Sequence, residues 1–317
     1  MEGDDVAYLE AARTVDDRAH SDAATDAFRT ALERPTLGRP ARERPTPGAD
    51  EGSGSADGVR VFEAGAGTCG MLRRLLDDGA LPAGEWVAVD ADERVLSAGR
   101  DRLHEAARVA GYGVETEGSE LLLELPDDAT LRVRFAVGDA REVADDRGGD
   151  FDGVVARSFA DLLAPDDVLD LLGTAAPDGW YHLPLTFDGE TRFAPEHPTD
   201  HAVIDAFHGT MRNRGRAATL LAERFREAGT PPTVDARADW VIEGTSDGAE
   251  THGGAAYPAD EGTFLRIVLD TVVASVRESG AVSAATLSAW AGTRTAQLER
   301  GELGYVAVNR DLFGRVP

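Results

Sequence analysis

The sequence predicts an α/β fold built on a doubly wound, mostly parallel sheet. From residue 59 onward, short β-like runs alternate with helix-length segments, and the first run, VRVFEAG, turns through a glycine-rich stretch straight into a helix. The bulk agrees: 317 residues, 42% hydrophobic and 28% charged, suffice for a large core, which excludes a disordered chain.

Taken in order, residues 6–33 carry apolar side chains at Val6, Leu9, Val15, Ala24, Phe28 and Leu32, the spacing of two short amphipathic helices broken near Ala19–Ser21. Residues 1–33 are thus read as a helical cap. The stretch 34–58 is rich in Pro, Gly and Ser with almost nothing to bury, and is read as a flexible linker to a main domain at 59–317. There VRVFEAG is followed by a helix over Cys69–Asp78, the strand WVAVD and a helix over Glu93–Ala110. Residues 120–139 hold two β-like runs split by Pro-Asp-Asp, a hairpin leading into the third core strand. FDGVVA (151–156) and PDGWYHLPLTF (177–187) are the next strands, followed by a long helix over Ala202–Ala228 and the strands ADWVIE (238–243) and LGYVAVN (303–309). Between those last two, 244–301 reads as a helical insertion: a Gly-rich loop at 244–256, then helices at 260–278 and 283–300. It either roofs a substrate pocket or thickens the core.

Acidic residues outnumber basic ones 58 to 32, giving a net charge of −26, and there is no Lys at all. Such a shell keeps a protein hydrated where salt screens its self-repulsion, so charge reports a salt-rich milieu more than a partner. The same field repels phosphate backbones and anionic lipid, so neither nucleic acid nor membrane is expected as a partner. The single cysteine, Cys69, excludes an internal disulfide, and no apolar stretch or signal-peptide pattern is seen. A soluble, cytoplasmic protein is expected.

The segment that carries chemistry is VFEAGAGTCG at 61–70, in which a strand ends at Glu63 and turns through Gly65 and Gly67 into a helix. Glycine there lets the backbone approach a ligand closely, and the helix N-terminus favours negative charge. Gly65-x-Gly67-x-x-Gly70 also satisfies the dinucleotide fingerprint, with Asp90 twenty residues beyond Gly70, so an NAD-dependent oxidoreductase stays open. Glu63 argues against it. A pyrophosphate at this turn would meet a carboxylate, whereas S-adenosylmethionine (AdoMet) presents an ammonium group. Asp139, in FAVGDARE at the end of the third core strand, can accept a hydrogen bond from an adenine amino group.

These carboxylates and glycines resemble those of class I, Rossmann-like AdoMet-dependent methyltransferases, clearly over 59–190 and more loosely over the last two strands. The charge pattern narrows the resemblance to a haloarchaeal small-molecule type. The resemblance implies a seven-stranded sheet with one antiparallel strand, and a cofactor site in which Glu63, Ala64, Gly65 and Gly67 surround the methionine portion. It further implies that Asp90 and Ala91 hold the ribose and that Asp139 with Ala140 borders adenine. The family's third glycine stands one residue later here, at Gly70, with Cys69 in its place. In FDGVVARSFADLL, the positions facing the reactive methyl correspond to Ala156, Arg157, Ser158 and Phe159.

Methyl transfer needs alignment and exclusion of water more than acid–base chemistry, but a hydroxyl or protonated amine acceptor benefits from a base. His182 and His208 are the candidates, each set against the plainer reading of a structural histidine. Arg212, Arg214 and Arg216 could clamp an anionic acceptor, or form a solvated helix face. The Asp16-Asp17-Arg18 cluster belongs to a lid or to a surface ion pair. Scattered His and one Cys offer no metal-ligand spacing, so no metal is expected. A non-catalytic AdoMet-binding regulator is the other alternative.

Overall fold

The computed structural model describes residues 6–33, 58–244 and 257–317. The proposed linker and the Gly-rich loop lie outside the described residues, apart from their edges at Gly58 and Gly244. Two helices, α1 (Val6–Ala19) and α2 (Asp22–Glu33), precede β1 (Val59–Ala64), α3 (Gly70–Asp77), β2 (Gly84–Asp90) and α4 (Glu93–Val109). Then come β3 (Gly113–Glu117), β4 (Glu120–Glu124), β5 (Thr130–Val137), α5 (Ala140–Arg147), β6 (Gly153–Val155) and α6 (Pro165–Ala175). The chain continues through β7 (Trp180–Ala194), α7 (Asp200–Thr210), α8 (Ala217–Glu227), β8 (Val234–Arg237) and β9 (Trp240–Ile242). It ends with α9 (Glu261–Ser279), α10 (Ala284–Glu299) and β10 (Gly304–Arg315).

One sheet runs β3-β4-β5-β2-β1-β6-β7-β10-β8, with β9 also on β10. The run β5-β2-β1-β6-β7 is parallel throughout. The expected Rossmann-like class therefore stands. The strand count does not: among the described residues the sheet has 10 strands rather than seven, and β4 and β10 pair antiparallel with their neighbours. β9 falls within the expected strand ADWVIE; the unexpected strands are the short β3, which pairs only with β4 at one edge, and β8, which pairs only with β10. Their segments lack the apolar runs that mark a buried parallel strand.

Both faces of the sheet are covered because its central strands are apolar on both sides. Val59, Val61 and Trp86 pack with Phe28 and Leu32 of α2, Leu72 of α3 and Leu103 of α4. Phe62, Ala64, Val87 and Val89 pack with Ala144 of α5, Leu172 of α6 and Phe225 of α8. Local signals start the helices: Asp92 caps α4 by accepting from the Arg94 and Val95 amides, and Ser283 caps α10 by accepting from Thr286. The single helix expected over Ala202–Ala228 is broken. Asn213 and Arg214 take φ of 57° and 48°, and Asn213 Nδ2 donates to the Leu163 carbonyl at 2.9 Å.

A third core lies beyond this sandwich. Tyr8, Ala11, Ala12 and Val15 of α1 bury against Phe264, Val268 and Val272 of α9, Trp290 of α10, Val203 and Phe207 of α7, and Trp240. Arg18 and Glu261, 243 residues apart, form an ion pair across it. α1 and the insertion are thus packed on each other, while α2 packs on the main sheet. Among the described residues no helix is long and apolar enough to cross a membrane.

Candidate functional site

The strand order β5-β2-β1-β6 sets Asp139, Asp90, Glu63 and Ala156–Phe159 side by side along the carboxyl edge of the parallel strands. Ligands of open α/β sheets bind at this edge. Glu63 sits on the central strand, only 2% exposed, and its Oε2 accepts from Trp86 Nε1 at 2.7 Å. Burial pushes its carboxyl up to about 7, with the Asp90 charge adding to the rise, against the pull of the Trp86 donor and the Arg157 charge. A buried carboxyl in this position gains from a cation brought against it.

After the buried Ala64, the chain turns through Gly65 and Gly67 at φ of 66° and 55°, the left-handed region where side chains are strained. The Gly67 amide donates to Asp90 Oδ2 at 2.9 Å and the Asp92 amide donates to Oδ1 at 3.0 Å, so Asp90 ties the end of β2 to the turn. Burial raises its carboxyl. The neighbouring Ala91 is exposed. Asp139 is also exposed and caps α5 by accepting from the Arg141 amide at 2.8 Å, with Ala140 buried beneath it. Burial pushing the Asp139 carboxyl up is outweighed by the Arg141 donors, which hold it low. Cys69 is fully buried, and burial drives its thiol well above the ordinary range, which removes it as a nucleophile.

The segment after β6 closes over the turn. The Ala156 amide donates to the His182 carbonyl and the Ser158 amide to the Pro184 carbonyl, both at 3.0 Å. A Cβ built on Gly65 would fall 2.3 Å from Phe159 Cδ2, and one on Gly70 would fall 1.8 Å from Arg157 Nη2. Gly65 lets the Phe159 ring lie against the backbone, whereas at Gly70 the guanidinium, the far end of a flexible side chain, could shift aside. Arg157 pairs with the buried Asp16 of α1 at 3.4 Å, and Leu9 reaches within 3.4 Å of a Cβ built on Gly67.

On the other side of this segment is a cavity of about 300 Å³. Ser158, Asp161 and Leu162 form one wall, Tyr8 and Leu9 of α1 another, and Phe187, Phe207, Trp240, Val268 and Tyr305 much of the rest. Leu9 and the 157–161 segment therefore touch the glycine turn and the cavity at once.

The structure separates the two histidines. His182 is 2% exposed, stacked on Phe28 with ring centroids 4.4 Å apart, and does not line the cavity. Burial, with His20 and Arg74 adding to it, drives its imidazole down to about 3 against the Asp311 charge, so it is a neutral core residue rather than a base. His208 is half-buried, and its Nε2 lies 3.0 Å from Oγ1 of Thr191, a cavity residue. Burial lowers its imidazole against the opposing Asp205 charge. Arg212 lines the cavity from an exposed position, whereas Arg214 and Arg216 do not line it. Among the described residues no group of three or more His, Cys, Asp or Glu is placed to hold a metal ion. Asp161, absent from the sequence-derived candidates, lies two residues beyond Phe159 in the segment read as facing the methyl group, and this adjacency was the available signal.

No family model matches the chain, and no curated protein matches it significantly. Among solved structures it resembles a protein from work on the conversion of a disulfide bond into a thioacetal group during echinomycin biosynthesis. That likeness has a TM-score of 0.42 and 14% identity, covering 95% of this chain and 84% of the other. A mycolic acid cyclopropane synthase complexed with SAH and CTAB gives a TM-score of 0.39 at 10% identity, over 81% of this chain and 78% of that one. Magnesium protoporphyrin IX methyltransferase from Synechocystis PCC 6803, with bound SAH, gives 0.35 at 16% identity, over 57% and 68% respectively.

Proposed function

We propose that this chain is an AdoMet-dependent methyltransferase acting on a small-molecule acceptor held in the cavity behind Ser158 and Asp161. The observation that carries the reading is the row of three carboxyls, Asp139, Asp90 and Glu63, on adjacent strand ends beside the glycine turn. Glu63 suits the ammonium of the cofactor, Asp90 the ribose hydroxyls, and Asp139 with Ala140 the adenine. When bound, AdoMet supplies a methyl group on a sulfonium, an excellent leaving group. The chain's own residues then have to align the acceptor and keep water out, and the covering α1, Leu9 and Phe159 suit that task. His208 does not line the cavity but lies behind Thr191, Phe187 and Phe207, so we assign it the positioning of the Thr191 hydroxyl rather than contact with the acceptor.

Two details weigh against a nicotinamide enzyme. Glu63 would be buried beside a pyrophosphate, and the Gly67 amide, a donor such a ligand needs, is already committed to Asp90. A pure regulator would have no use for a cavity joined to the glycine turn. We extend the proposal to a salt-rich cytoplasm of the haloarchaeal kind, on the net charge of −26 and the lack of Lys. Calorimetric titration in molar salt with AdoMet, S-adenosylhomocysteine and NAD(H) tests the reading. Binding of the first two is expected; binding of NAD(H) without AdoMet would defeat it.

A further inference from the structure

The cavity walls carry more information than its position. Five aromatic residues line it: Tyr8, Phe187, Phe207, Trp240 and Tyr305. Three of them are fixed by packing on Phe264, which stacks on Tyr8 at 5.8 Å and meets Trp240 and Tyr305 edge-on at 5.4 and 6.1 Å. Aromatic faces carry partial negative charge and attract cations.

Two charged residues line this aromatic space. Arg212 is exposed, so its head can be solvated at the rim. Asp161 is the inner one. Its Oδ1 is buried and has no hydrogen-bond partner among the described residues, whereas buried polar groups in folded proteins ordinarily have one. Burial raises its carboxyl to about 6 against the pull of its own backbone amide. An anionic occupant would be repelled, and a neutral donor could supply a hydrogen bond but no counter-charge. A protonated amine would supply both the missing hydrogen bond and the missing charge, while its hydrocarbon part lay against the rings.

We propose that the cavity binds a protonated small-molecule amine, with Asp161 as its counter-ion and the aromatic walls as its cage. The volume of about 300 Å³ lies at the small end of ligand sites, which limits the occupant to a compact amine. The inference rests on the methyltransferase reading only in naming this amine as the acceptor; the cation site itself stands on the cavity.

The test is calorimetry on the full chain in molar salt, with phenethylamine, tryptamine and hexylamine as cationic probes. The neutral probe is 2-phenylethanol and the anionic one phenylacetate, each titrated with and without S-adenosylhomocysteine. At least one amine is expected to bind about tenfold or more tighter than the alcohol and the acid. Asp161→Asn should abolish that preference, Asp161→Glu should keep part of it, and both should bind S-adenosylhomocysteine as the unmodified chain does. The proposal is overturned if the alcohol or acid binds as tightly as the amines, or if no amine saturates by about 10 mM. It also fails if folded Asp161→Asn retains the preference. Circular dichroism checks the variants, and the amine–alcohol comparison on the unmodified chain needs no variant at all. S-adenosylhomocysteine binding without amine binding sinks this inference alone, whereas amine binding without S-adenosylhomocysteine binding sinks the cofactor reading alone.

Discussion

Replacing Glu63 by Gln should stabilise the unliganded protein at alkaline pH and weaken cofactor binding at the same time. The carboxyl titrates at about 7 in the folded chain against an ordinary 4.5. At about 1.4 kcal/mol for each decade, that gap makes the buried charge cost about 3 kcal/mol of folding free energy once both states are ionised. Between pH 4.5 and 7 the folded state holds a proton that the unfolded state has lost, so stability falls as pH rises through that window. Below it the cost vanishes. Gln keeps the shape and can still accept from Trp86 Nε1, so the variant should match the unmodified protein near pH 4 and exceed it by up to about 3 kcal/mol near pH 8. Urea unfolding at fixed high salt across that range measures the difference directly. A ligand ammonium against Glu63 should draw off the proton, so AdoMet binding near pH 7 should release it. Calorimetry in two buffers of unlike ionisation enthalpy reads that release, and Glu63→Gln should abolish it. A stability difference that does not change with pH would refute the reasoning.

Asp90→Ala should weaken AdoMet binding by about 1–3 kcal/mol, as for a lost charged acceptor. Because Asp90 also holds the Gly67 and Asp92 amides, it should lower the melting temperature as well, and unchanged affinity in a folded variant would remove Asp90 from the ribose role. His182 titrates at about 3 against an ordinary 6.5, so its neutral form stabilises the fold above pH 6.5, and that contribution is lost as pH falls towards 3, at a cost of up to about 5 kcal/mol. His182→Phe, which can keep the stack on Phe28, should flatten the acid limb of the stability curve, and an unaltered limb would show that other groups govern it. Phe28→Ala should cost about 3–5 kcal/mol, because Phe28 is 2% exposed and packs on Trp180 and His182. A loss below about 1 kcal/mol in urea unfolding would mean that α2 is not part of the main core.

The juxtaposition of the glycine turn with the acidic strand ends was legible because its signals are local. A strand ending in Glu63, two glycines forced to positive φ and an acid at the end of the next strand lie within thirty residues, and strand–turn–helix geometry brings them together. The cavity was not legible. Its walls come from α1, the segment after β6, β7, α7, α9, β9 and β10, and no spacing rule links Tyr8 to Tyr305. For His182 the plainer reading of a structural histidine had its signal in the sequence: strand side chains alternate, so His182 shares a face with Trp180, and that face is the one α2 covers. The broken helix after Ala202 had its signal too, in Asn213 and Gly215, residues that tolerate the positive φ found there.

The shared core of α1 and the insertion bears on how the chain divides. Composition shifts suggested a cap, a linker and a main domain, but Tyr8, Ala11 and Val15 bury on Phe264 and Val268, and Phe28 buries on the central sheet. Removing residues 1–33 would strip the wall formed by Tyr8 and Leu9 from the cavity, free Arg157 from Asp16 and expose apolar surface on α9 and the sheet. Such a truncation should lose stability as well as turnover, since buried aromatic and aliphatic side chains contribute about 1.5–3 kcal/mol each. α1 therefore both lines the cavity and lies over the glycine turn, through Leu9 at Gly67 and Asp16 at Arg157. On the proposed reading, a ligand entering at the turn would displace those two contacts, which lie on one face of one helix.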